Sequence, residues 1–352
     1  MKNLLHLCNT KKKHLFFGGA IALVMIPLTF GYFLGLSVQK NRYTNFLNGF
    51  KNIREDSDKY AFINPLIGGI SPPSTDVGIY SDAKEDIFSY LKKEELKGNL
   101  YNYSFYFRDF GTAFWFGINE SSDFFPASLF KLPIAIAVYK EAEDNPNFLK
   151  QQVVYTKDMA KLNDSIRTNS ESILVVDRAY SVSELVSIMI INSDNGAKNL
   201  LLSVVDNAYL NKLFSIVSLT NPTQDKNKVY QISSRKYALF FRVLYGSSYL
   251  NEEHSEYILT LLSKSDFKNG IVAGLPEYIP VAHKFGTYEF EENINGVTTD
   301  THQLHDCGII YHPQKPYIFC FMTKGKDLES LYRIISHISK YMYDYQEADN
   351  KE

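Results

Sequence analysis

Three short groups of residues in this chain could together do chemistry. The first is Ser128 and Lys131 in FFPASLFKLP, three positions apart where an apolar run begins. At the first turn of a helix, unpaired backbone N–H groups and the dipole favour developing negative charge. A serine placed there can attack a carbonyl while its own N–H supports the resulting oxyanion. Lys131 falls one turn later on the same face, and a desolvated amine could accept the serine proton. The alternative is a hydroxyl that caps a helix beside a solvated charge. The Ser-x-x-Lys spacing begins at Ser37, Ser81, Ser89, Ser128, Ser233 and Ser265, so spacing alone selects none of them.

The second group is Ser193-Asp194-Asn195, between the two apolar runs of YSVSELVSIMIINSDNGAKNLLL. All three residue types favour caps and turns, so by itself the tripeptide reads as a helix break. The third is Lys284 with Gly286 in VAHKFGTYE, on an expected strand, and Lys268-Asn269-Gly270 is a second copy of that pattern. A further cluster, THQLHD from Thr301 to Asp306, has two histidines and an aspartate in the manner of a metal site. No fourth ligand lies nearby, and an exposed connection between strands is the expectation there.

Positioning these groups requires both helices and a sheet. DAKEDIFSYLKKEEL reads as an amphipathic helix with Ile87, Tyr90 and Leu91 on one face. LYNYSFYFRDF and GTAFWFGI follow as strands around a turn near Gly111. The helical period dominates from Ser128 to about Leu262, then IPVAHKFGT, DCGIIYHP and PYIFCFMTK read as strands before a closing helix, DLESLYRIISHISKYM. Five strands are most economically one antiparallel sheet, early and late strands adjacent, with the helical block inserted and a cleft at the seam. Cys307 and Cys320 fall on the last two strands. Buried free thiols are expected, although an oxidising compartment would permit a disulfide.

Composition of 45% hydrophobic and 22% charged residues describes a folded protein, and the net charge of −2 provides no footprint for nucleic acid. The 25 Tyr and 25 Phe are expected in cores and clefts. Leu15 to Val38 has no charged residue over 24 positions, with Lys11, Lys12 and Lys13 before it. That is enough helix to span a bilayer, and the lysines favour a cytoplasmic N-terminus with the rest outside. The expected organisation is a cytoplasmic tail over 1–14, an uncleaved anchor over 15–38, a spacer over 39–78 and a catalytic domain over 79–345. Within that domain the sheet takes 79–125 and 278–345, and a helical subdomain takes 126–277.

In order and spacing, Ser-x-x-Lys opening a helix, Ser-Asp-Asn 65 positions later and Lys-x-Gly 91 beyond resemble the serine-reactive β-lactamase and penicillin-binding superfamily. The flanks are most similar to class A β-lactamases, over roughly residues 80 to 345. The resemblance implies an α+β β-lactamase-like fold, with a five-stranded antiparallel sheet, flanking helices and an inserted all-α subdomain. It implies Ser128 as the acylated nucleophile, Lys131 as its activating amine and Ser193 as the relay toward the leaving nitrogen. Asn195 would bind the substrate amide, Lys284 would hold charge near the substrate carboxylate, and Gly286 and Thr287 would line the substrate site. The N–H groups of Ser128 and Thr287 would form the oxyanion hole. The implied substrate is a β-lactam or a peptidoglycan peptide, with no metal and no cofactor.

Two departures bear on mechanism. Class A enzymes carry a loop glutamate that activates the deacylating water. Here no glutamate occurs from Asp206 to Phe241; Asp225 is the only acid between Asp206 and the next helix, and the loop is expected to be largely missing. Water attack without a positioned base loses about 10² to 10⁴, which points to slow release. The second departure is Phe285, where the family has Ser or Thr; Thr287 shares its side of the strand. The implied function is a membrane-anchored acyl-enzyme former: a β-lactamase, a D,D-peptidase or transpeptidase, or a non-catalytic sensor.

Overall fold

A computed structural model of the chain describes residues 53–54, 60–68, 80–165, 172–219, 221, 230–294 and 297–349. The expected tail and anchor, 1–38, lie outside the described residues, and no described helix is long and apolar enough to cross a membrane. Five antiparallel strands form the main sheet. They are β1 (Leu100–Asp109), β2 (Trp115–Ile118), β3 (Val281–Ile294), β4 (Val297–Ile310) and β5 (Tyr317–Gly325), in the spatial order β2-β1-β5-β4-β3. The early and late strands meet where β5 pairs with β1, Phe321 opposite Phe105.

Strand alternation sorts the side chains of β1 to two faces. Phe105 and Phe107 point to one side, where Phe105 meets Phe319 and Phe321 edge-on at 5.1 and 5.4 Å and Phe107 packs 5.2 Å from Phe116. Helices α1 (Ser81–Leu96) and α9 (Leu328–Asp349) cover this layer, tied by Arg333 to Glu94 at 2.6 Å. The opposite face carries Tyr106 and Ser104, whose hydroxyl bonds Ser234 Oγ at 2.8 Å. With both faces covered, β1 is buried over most of its length, continuously from Tyr103 to Phe107. Truncating a fully buried phenylalanine such as Phe105 would cost about 3–5 kcal/mol.

The inserted helices are α2 (Lys131–Asp144), α3 (Lys157–Ser165), α4 (Val182–Ile191), α5 (Asn195–Val204), α6 (Asn207–Ile216), α7 (Ser234–Tyr245) and α8 (Glu252–Ser263). α2 is buried from Lys131 to Tyr139 and forms the centre of this layer; Pro133 is tolerated in its first turn, where no N–H bond is lost. α4 opens with a capping box between Ser181 and Glu184. Residues 217–231 join α6 to a short strand, Ile232–Ser233, that pairs with Asp123–Phe124. Asp225 and most of that connection lie outside the described residues.

Three sequence expectations are corrected. Cys307 and Cys320 are bonded, not free thiols: the β4–β5 register places them directly opposite, with S–S at 2.02 Å. THQLHD is not an exposed connection but part of β4. It runs on into a long hairpin with β3 whose polar outer half lacks the alternation of a half-buried strand. Within it, Asp306 bonds His283 Nδ1 at 2.7 Å and accepts the Ile271 N–H at 2.8 Å. No cluster able to hold a metal occurs among the described residues. Finally, part of the stretch read as spacer is docked. The Glu256 carboxylate accepts the N–H groups of Ala61, Phe62 and Ile63 at 2.8 to 2.9 Å, and Ile63 is buried.

Candidate active site

Ser128 lies in the tight turn Ala127–Phe130 that runs into α2. The turn is held from three sides. Ala127 adopts φ 48°, a left-handed conformation costly to a residue with a side chain. His305 Nε2, on β4, donates to the Phe125 carbonyl at 2.9 Å while its Nδ1 accepts the Thr323 N–H at 3.3 Å. This geometry requires the neutral ring, and burial pushes the pKa of His305 down to about 4. From the third side comes Gly286, opposite His305 in the sheet. A Cβ on Gly286 would lie 3.0 Å from both Pro126 O and Ser128 N, so only glycine lets the edge strand approach the nucleophile this closely.

Lys131, in the first turn of α2, is 1% exposed. Its Nζ donates to Ser128 Oγ at 2.8 Å, to Ser193 Oγ at 3.1 Å and to the Ser193 carbonyl. Burial, reinforced by the charges of Lys284 and Lys198, holds this amine well below the ordinary lysine value; Asp194 opposes the shift. Once deprotonated, an amine within bonding distance of a serine hydroxyl can take its proton.

Ser193-Asp194-Asn195 is both a helix break and part of the site. α4 ends at Ile191 with Asn192 as its cap, Ser193 turns the chain with φ 56°, and Asp194 caps α5 through the Ala197 N–H at 2.7 Å. The second carboxylate oxygen takes the Ile173 N–H at 2.7 Å, and Ser172 Oγ bonds the first at 3.0 Å. Clamped in this way, Ser193 presents its hydroxyl to two amines, Lys131 and Lys284, the latter at 2.9 Å. Lys284 is fully buried on β3, and burial lowers its pKa to about 7 against the opposing charge of Asp306. A continuous path therefore runs from Ser128 Oγ through Lys131 Nζ to Ser193 Oγ and Lys284 Nζ.

Of the remaining expected residues, Asn195 is half-buried at the first position of α5, and Thr287 is half-buried beside Gly286 on β3. β3 is the edge strand of the sheet, so alternate N–H groups point away from β4, as an oxyanion donor requires. Three contributors were not expected from sequence. Lys198 stands one turn beyond Asn195, His305 pins the nucleophile turn, and Phe267 stacks on Phe285 at 4.1 Å. Lys198 could have been found from its i,i+3 relation to Asn195; the other two depend on strand pairing and loop packing. A cavity of about 460 Å³, lined by residues that include Ile173, Arg178, Tyr180 and Tyr257, contains none of the residues expected to act. Bonding geometry, not cavity size, marks the site.

The fold has close counterparts among solved structures. PBP-A aligns with a TM-score of 0.63 at 20% identity, covering 79% of this chain and 100% of that one. A leucine-to-glutamate mutant of PBP-A, an acyl-enzyme complex with penicillin G, aligns at 0.62 and 19% identity over 79% and 99%. A β-lactamase from Chitinophaga pinensis aligns at 0.61 and 16% identity over 74% and 99%. No curated protein sequence is significantly similar to the chain. The model of the beta-lactamase enzyme family matches residues 86–346, a span that contains all three groups described above, and the chain belongs to that family.

Proposed function

We propose that this protein is a membrane-tethered, extracytoplasmic serine hydrolase that forms an acyl-enzyme at Ser128 and releases it slowly. The acyl donor is a β-lactam or a D-amino-acid peptide amide of the cell wall. The observation that carries this reading is the Lys131 amine, buried, held below its ordinary pKa and 2.8 Å from Ser128 Oγ. In the proposed reaction Lys131 takes the Ser128 proton as Oγ attacks the carbonyl. The N–H groups of Ser128 and Thr287 support the oxyanion, Asn195 holds the substrate amide, and Ser193 passes a proton to the departing nitrogen. Slow release rests on the absence of any glutamate from Asp206 to Phe241. The tether rests on the uncharged run Leu15–Val38.

A D,D-peptidase or transpeptidase, or a β-lactam sensor, shares the acylation step and differs in the fate of the acyl group. A scaffold without chemistry has no use for two buried amines on one serine hydroxyl, and their desolvation is costly. The test is to expose the purified full-length protein to penicillin G and monitor antibiotic consumption together with protein mass. One equivalent consumed with a lasting adduct supports the reading. Many equivalents consumed would make it an efficient β-lactamase and remove the slow step. No adduct at any time would reject the acyl-enzyme.

A further inference from the structure

Ser193 Oγ bonds both amines, so a nitrogen expelled from the acyl group takes its proton there. Whatever that nitrogen carries must then lie beyond Ser193, along Lys284 and Phe285. At this end the hydrogens of the buried Lys284 amine are already engaged. One goes to Ser193 Oγ at 2.9 Å and one to the Phe285 carbonyl at 3.1 Å, and the face of the Phe285 ring lies 4.3 Å from Nζ. Lys131 is equally occupied by Ser128 and Ser193.

The surface beyond is aromatic. Phe285 and Phe267 are both half-buried and stack at 4.1 Å with their planes 15° apart. Phe267 is fixed in place. Asn192 Nδ2 donates to the Asp266 carboxylate, the Asp266 N–H bonds the Ile191 carbonyl at 3.2 Å, and Tyr332 packs 5.8 Å behind the ring. The exposed Asp266 adds negative charge beside the rings.

We propose that this end of the cleft selects acyl donors whose leaving side is uncharged, an amide or ester in place of a free carboxylate, with Phe285 as the specificity-determining residue. The proposal rests on the acyl-enzyme reading above. With Lys284 against one face and Phe267 against the other, the Phe285 ring offers an anion no hydroxyl donor, and a carboxylate that loses water without a partner is heavily penalised. A neutral amide or ester loses far less hydration and can pack against the ring edges.

Penicillin G and its methyl ester differ only in that carboxylate, which makes them a matched pair of probes. The rate of adduct formation on Ser128 is measured by intact mass for both compounds, with the full-length protein and with Phe285→Thr, whose folding is checked by circular dichroism. The wild-type protein is expected to react with the ester at least as fast as with the acid. A hydroxyl bond to a charged group is worth about tenfold or more, so Phe285→Thr should move the ratio toward the acid by about that factor. A wild-type preference for the acid overturns the proposal without recourse to any variant. An unchanged ratio in Phe285→Thr overturns the role of Phe285. Reaction with neither compound rejects the acyl-enzyme reading itself, and this proposal with it.

Discussion

Replacing Lys284 with methionine should make the protein more stable at neutral pH and less stable at high pH. The folded-state pKa of Lys284 is lowered to about 7 by burial, whereas the unfolded chain holds an ordinary lysine near 10.4. Between those values the unfolded state binds more protons, so this group's effect on stability rises with pH. Its penalty is small above pH 10, grows as pH falls and is complete below about 7. By linkage it amounts to about 4 kcal/mol at pH 7 and about 1 kcal/mol at pH 10. Methionine fills similar volume without charge, but the bonds to Ser193 Oγ and the Phe285 carbonyl are lost, at about 1 kcal/mol each. The balance is a gain of about 2 kcal/mol at pH 7, or about 5 °C in Tm, and a loss of about 1 kcal/mol at pH 10. Thermal unfolding of both proteins by circular dichroism at the two pH values measures the crossing. A variant less stable than wild type at pH 7, or a difference that does not change with pH, would refute the reasoning.

Lys131→Met removes the only amine bonded to Ser128 Oγ among the described residues, and should slow acylation by about 10² to 10⁴; rates within tenfold of wild type, read by intact mass, would show that another group takes the proton. Asp194→Ala loses the α5 cap and the anchors of Ser172 and Ile173, and should cost about 2–3 kcal/mol in urea unfolding; a change below about 0.5 kcal/mol would contradict the clamp. Glu256→Ala frees three consecutive backbone amides, so limited proteolysis within 60–68 should accelerate while acylation of Ser128 is unaffected; equal cleavage rates would mean that buried Ile63, the Asn64 N–H bond to the Tyr245 carbonyl and the contacts of Phe62 with Tyr311 hold the segment without Glu256.

The parts of the fold with strong periodicity were legible from residues alone. β1 and β5 carry apolar side chains on both faces, and α1 and α9 carry one clear stripe, so their places follow from pattern. The outer half of the β3–β4 hairpin did not show itself. Glu289, Glu291 and Asp300 project from strands with little to cover them, and such strands are as polar as loops. The disulfide was missed for a different reason. Pairing Cys307 with Cys320 depends on register, and register is set by the whole β4–β5 ladder, not by the two cysteines. The three groups of the candidate site were legible only together, through an order and spacing that resemble the β-lactamase superfamily, because Ser-x-x-Lys alone occurs six times and Ser-Asp-Asn alone is a helix break. His305, singled out only within a possible metal cluster, and Phe267 did not show their roles because each reaches the site through partners distant in the chain.

The central claim is that one hydroxyl, armed by a buried amine, becomes covalently acylated and stays so. Peptide mapping of the full-length protein after penicillin G treatment, with Ser128→Ala in parallel, tests it most directly. The expected result is a single adduct on the peptide that contains Ser128, persisting for hours and absent from the variant. An adduct at another residue, an equal yield in Ser128→Ala, or none in either protein would contradict it.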